Sequence, residues 1–150
     1  MNKMEITTTN HILSDLWNFH LVLIGISLSI FTLLYSFILN KRDELKTISE
    51  QIKNGDISPT LAQKERFAIK YISRLRKINT NCLYIFISSS FLCCWSWITL
   101  RIINDCQAMF KQWFMIVIGI LTIFLCFYVG FQFIKIYKHY NSETKIRQNG

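Results

Sequence analysis

Three windows of this chain, residues 16–40, 78–100 and 112–134, carry no formal charge and run for 25, 23 and 23 residues. The hydrocarbon core of a bilayer is roughly 30 Å thick, and about 20 helical residues cross it. Each window is long enough to span, and together they take up nearly half of the 150 residues. What remains is too short and too divided to build a soluble domain with its own core. The composition, 51% hydrophobic with one proline, fits neither an ordinary soluble domain nor a disordered chain. The expected fold is all-α: a single membrane domain over residues 1–150, with spans at 16–40, 78–103 and 112–134. A helical hairpin at 41–77 and a basic tail at 135–150 complete it.

Charge placement predicts the orientation. Of 17 Lys and Arg residues, ten lie in 41–77 and four in the tail, leaving Lys3, Arg101 and Lys111 elsewhere. The positive-inside rule puts the hairpin and tail in the cytoplasm and the N-terminus and 104–111 loop outside. Trp17, Trp97 and Trp113 then fall near the outer interface, and Tyr35, Tyr84, Tyr137 and Tyr140 near the inner one. The first 15 residues lack a basic leader, and the apolar stretch that follows is too long for a cleaved signal peptide. Lys41 and Arg42 read as a stop-transfer flank, and a bacterial inner membrane is the expected compartment.

Residues 1–15 show little periodicity and read as a short outer arm, with His11 and His20 as interfacial polar residues. Past the first span, Leu45, Ile48 and Ile52 keep helical spacing. The helix is expected to stop at Asn54-Gly55-Asp56, where Gly55 can turn left-handed. Ser58-Pro59 offers a cap and a first-turn proline for the next helix, with Thr60 and Gln63 as a competing capping box. That helix places Leu61, Ala68, Ile72 and Leu75 on one side with Glu65 among them, and Phe67, Tyr71 and Ile78 on another. Lys70, Arg74, Arg76 and Lys77 close it beside the second span, where anionic lipid attracts basic residues. Their position favours membrane lipid over nucleic acid as the partner.

The first span also carries a polar stripe. Asn18, Gly25, Ser29, Thr32, Ser36, Asn40 and Asp43 recur at helical intervals. In the second span Cys82, Ser89, Cys93 and Ser96 form a narrow face of small side chains, and in the third Gly119, Thr122, Cys126 and Gly130 do the same. Small faces let helices approach closely in lipid, where no hydrophobic drive joins them. The stripe of span one is longer and wetter than packing needs. It either packs against helices or lines water where several copies meet. Asp43, Arg101 and Asp105 are candidates for a pore mouth or an interface. The bland account of Arg101 is snorkelling, with Asp105 four residues on at ion-pair spacing.

Enzymatic activity, a cofactor and a metal are not expected. The five cysteines show no ligand spacing, and Cys106 is either a free thiol or a disulfide to a second copy. No nucleotide or metalloprotease motif occurs, and no carboxylate lies inside a span to carry a proton. Three spans, an outer N-terminus and a basic inner tail give a layout that resembles one class of phage holins and, more loosely, small bacterial effectors that depolarise the membrane. The likeness is one of layout, and the long 41–77 connection departs from it. It implies a membrane-permeabilising role. The sequence thus points to a homo-oligomeric pore or channel. The alternative is a membrane-anchored module that docks a cytoplasmic protein through residues 41–79.

Overall fold

The computed structural model describes residues 3–55, 58–103 and 108–146, with side chains over 6–55, 58–103 and 109–138 and at 141. These residues form three helices, α1 (Lys3–Lys53), α2 (Pro59–Arg101) and α3 (Ala108–Ile146), and no strand occurs among them. All three are long and apolar enough to cross a membrane. With 51 residues, α1 measures about 76 Å at 1.5 Å per residue, more than twice the hydrocarbon thickness.

The expected outer arm at 1–15 is instead the first part of α1, which is helical from Lys3. Ile6, Asn10, Leu13, Trp17 and His20 follow one another at alternating steps of four and three and are all buried or half-buried. This spacing is that of helices packed at a shallow angle. Packing therefore holds helical a segment whose Thr and Asn content argues against it.

The α1–α2 connection follows local chemistry. Gly55 has φ 95°, a region that costs an L-residue roughly 1–2 kcal/mol, and its N–H donates to Ile52 O at 3.2 Å. Ser58 then caps α2: the Leu61 N–H donates to Ser58 Oγ at 3.3 Å and to Ser58 O at 3.0 Å. Pro59 takes the first helical position, where its missing N–H removes no bond.

The chain divides into two compact units. One is Val22–Ile87, which holds the second part of α1, the turn and the first part of α2. Here α1 buries or half-buries Ile24, Ser27, Phe31, Leu34, Ile38, Lys41, Leu45, Ile48 and Ile52, again at alternating steps of three and four. The α2 part does the same with Leu61, Glu65, Ala68, Ile72, Leu75, Asn79, Cys82 and Phe86. Two helical arms can bury only one stripe each, so the buried set is short, Ser27, Ile48, Ala68, Leu75 and Asn79, and none of them is fully enclosed. Phe67 and Tyr71 are 63% and 45% exposed on another side of α2.

The other unit is Met1–Leu21 with Ser88–Gly150. Its described core gathers Leu13 and His20 of α1, Ser89, Cys93, Ser96 and Thr99 of α2, and Ile118, Thr122 and Leu125 of α3. Trp95 meets Phe114 edge to face with ring centroids 6.1 Å apart. Of the small α2 face expected from the sequence, Ser89, Cys93 and Ser96 are buried here, Ser89 and Ser96 fully, while Cys82 is half-buried in the other unit. The α3 face differs from expectation. Thr122 is buried and Gly119 half-buried, but Cys126 and Gly130 are exposed, and Ile118 and Leu125 occupy the core instead. Ile118 and Leu125 are bulky where the buried α2 residues Ser89, Cys93 and Ser96 are small, and two small faces together would leave a void. Around the rest of α3 are exposed Phe124, Phe127 and Phe131, an apolar girdle suited to lipid rather than water.

Candidate functional site

The polar stripe of α1 is the longest run of polar groups in any charge-free window. Within Val22–Ile87, Gly25, Ser29, Thr32, Ser36, Asn40 and Asp43 are all exposed. At 100° per residue the stripe lies about 150° round the helix from the buried seam of Ile24, Ser27, Phe31 and Leu34. Asn18, in the other unit, is likewise exposed. A Cβ added to Gly25 meets nothing within 4 Å, so this glycine serves no close approach inside the chain. The stripe extends beyond its predicted end through Thr47 and Glu50, both exposed.

Its hydroxyls are hydrogen-bonded within the helix. Ser29 Oγ donates to Gly25 O at 2.9 Å, Thr32 Oγ1 to Leu28 O at 2.9 Å and Ser36 Oγ to Thr32 O at 3.1 Å. Thr47 Oγ1 repeats the pattern on Asp43 O at 3.2 Å. Back-bonding satisfies each donor, which lowers the penalty of placing serine and threonine in a membrane. Each hydroxyl oxygen, its proton committed inward, turns its lone pairs outward. The stripe is thus a row of acceptors, and Lys41, on the opposite seam, is tied to Glu44 three residues on.

His20 is not an interfacial residue as the sequence suggested. It is fully enclosed, and its Nε2 lies 3.0 Å from Thr122 Oγ1. The Thr122 hydroxyl donates to Ile118 O at 2.8 Å, so it accepts from the ring, which places the ring proton on Nε2. Nδ1 then has no hydrogen-bond partner among the described residues, and neither do the buried Asn10 Oδ1, Ser89 Oγ and Ser96 Oγ in the same unit and Asn79 Oδ1 in the other. The signal that could have found His20 is its place in the four-three series with Leu13 and Trp17. His11, by contrast, is exposed.

The basic residues beside the second charge-free window divide. Arg66, Lys70, Arg74 and Lys77, with Ile69 and Ser73, line an open groove of about 550 Å³ along one side of α2. Arg76 does not line it, and Arg66 and Ser73, which sequence reading passed over, do. Arg101 is the exposed last residue of α2. Asp105 and Cys106 lie outside the described residues. Lys111, predicted in an outer loop, is 3% exposed within α3 and has an interaction partner.

No protein-family model, no curated protein and no solved structure matches this chain.

Proposed function

We propose that the chain assembles with copies of itself in a membrane so that the α1 stripes enclose an aqueous path. The observation that carries this reading is the exposure of Gly25, Ser29, Thr32, Ser36 and Asn40 on the side of α1 away from its buried seam. A polar row that its own chain does not cover must meet lipid, another protein or water. Lipid gains nothing from it, and closure of several copies around one axis is the usual outcome of such an interface. Outward lone pairs along the row, with Asp43 and Glu50 beyond it, favour cations over anions. Arg101, the exposed last residue of α2, is a candidate for the rim of the assembly. In this reading the 41–77 hairpin and the tail are cytoplasmic, the N-terminus is outside, and the protein permeabilises or depolarises the membrane that holds it.

The test is single-channel recording of the purified chain in planar bilayers, with Ser29→Phe and Ser36→Phe as blocking variants. The parent is expected to conduct and both variants to lose most of that conductance. A silent parent, or variants that conduct as well as the parent, would remove the pore.

A second reading has its own support in Phe67 and Tyr71, large aromatics exposed on α2 outside its charge-free window. Such side chains are enriched at protein interfaces, so this face fits a cytoplasmic protein partner. Under this reading Phe67→Ser with Tyr71→Ser abolishes partner capture by the full chain, while the span-one variants leave it intact.

A further inference from the structure

The groove on α2 is a second concentration of chemistry, independent of the stripe. Arg66, Lys70, Arg74 and Lys77 follow at steps of four, four and three, so four cations share one side of a single helix. Ser73 and Ile69 complete the lining, and no acidic residue contributes to it. Such a field attracts anions and repels cations.

Its place along α2 identifies the anion. Helix α2 is continuous from Pro59 to Arg101, and its charge-free window begins at Ile78, the residue after Lys77. The interfacial layer on each side of a bilayer is roughly 5–7 Å deep, half the difference between total and hydrocarbon thickness. At 1.5 Å per residue, Arg74 lies about 5 Å beyond the window edge and Lys70 about 11 Å. Arg74 and Lys77 are therefore level with lipid phosphates, while Lys70 and Arg66 stand above them.

We propose that this groove binds the phosphate of an anionic phospholipid headgroup. Lys77 and Lys70 present their point charges to the phosphate oxygens, the Ser73 hydroxyl donates beside them, and Arg74, which also has a partner within the chain, adds its charge to the groove. Lys70 and Arg66 extend the attraction outward and draw the headgroup along the helix, within the roughly 8 Å reach of charge at physiological salt. The inference requires α2 to enter a membrane and does not require a pore. Its failure is read from lipid binding alone.

The experiment is native mass spectrometry of the detergent-solubilised full chain, titrated with phosphatidylglycerol or phosphatidylcholine of identical acyl chains. The groove variant combines Lys70→Gln, Arg74→Gln and Lys77→Gln. The control combines Arg42→Gln, Lys46→Gln and Lys53→Gln, which removes the same charge from exposed positions of α1. The parent is expected to prefer phosphatidylglycerol by about tenfold or more, as several basic residues at a surface should give. The groove variant loses that preference, and the control keeps it to within about twofold. Equal binding of both lipids by the parent, or equal loss in both variants, overturns the site. Displacement of phosphatidylglycerol by millimolar inorganic phosphate overturns the lipid as its ligand in favour of free phosphate.

Discussion

The His20–Thr122 contact allows a prediction in which two residues of one hydrogen bond respond with different signs. Thr122→Val keeps the shape of the side chain but strands the His20 Nε2–H in a fully enclosed site. A buried donor without a partner costs about 1–3 kcal/mol, and measured interhelical polar contacts in membranes reach about 1.7 kcal/mol. A loss of about 1–1.5 kcal/mol is expected from the overlap of these ranges. His20→Leu works differently. It removes the donor together with an Nδ1 that has no partner among the described residues, and the Thr122 hydroxyl keeps Ile118 O. With no polar group newly stranded, the change is expected to be neutral or to stabilise by up to about 1 kcal/mol. Adding Thr122→Val to His20→Leu should then cost less than about 0.5 kcal/mol, so the double-mutant cycle closes with a coupling of about 1 kcal/mol. The assay is reversible unfolding of the purified chain in mixed micelles by titrated dodecyl sulfate, followed by tryptophan fluorescence. Trp17 and Trp95 are half-buried in the same unit and should report it. A His20→Leu loss larger than that of Thr122→Val would refute the reasoning, because it would mean that both ring nitrogens are satisfied in the native state.

Other expectations follow from the same geometry. Ser29→Ala, Thr32→Val and Ser36→Ala each remove a back-bonded hydroxyl from an exposed position. Each should leave unfolding within about 0.5 kcal/mol of the parent, while lowering conductance and the preference for potassium over chloride read from reversal potentials. Asp43→Asn should reduce that preference further. Gly55→Ala forces a side chain to φ 95° where no neighbour crowds it, so the loss of about 1–2 kcal/mol in the same micellar unfolding comes from the backbone alone. Ser58→Ala should cost only about 0.5 kcal/mol, because the Leu61 N–H retains Ser58 O.

Much of this architecture is legible in the sequence because lipid imposes few solutions. Charge-free windows fix three helices, and Asn54-Gly55 and Ser58-Pro59 mark the turn through backbone chemistry that packing does not alter. Other features depend on which of two periodic faces wins. In α1 the polar series Gly25, Ser29, Thr32, Ser36 and the seam Ile24, Ser27, Phe31, Leu34 coexist on opposite sides, and nothing in either spacing says which side the chain covers. Within the first 15 residues the covered positions include Thr9 and Asn10, whose polarity hides the helical continuity of that segment. In α3 nearly every side is apolar, so periodicity has no contrast, and the buried face falls on Ile118 and Leu125 rather than on Cys126 and Gly130. The groove escapes a reading based on runs of charge, because Arg66 joins it from a turn away while Arg76, next to Lys77, points elsewhere.

The sole proline of the chain lies in the first turn of α2, and α1, α2 and α3 run without a break through their described lengths. Sharp bends in helices arise at prolines, at paired small residues and at irregular turns. Within the charge-free windows none of the three helices contains a proline or an irregular turn. Of the causes of bending only paired small residues occur in the windows, as Ser88-Ser89-Ser90 in α2. A conduit lined by α1, whose window has neither a proline nor paired small residues, has no built-in hinge in its lining. Opening and closing would then fall to α1 swivelling or tilting as a unit, a movement that tethering α1 to its neighbours by engineered cysteines would arrest.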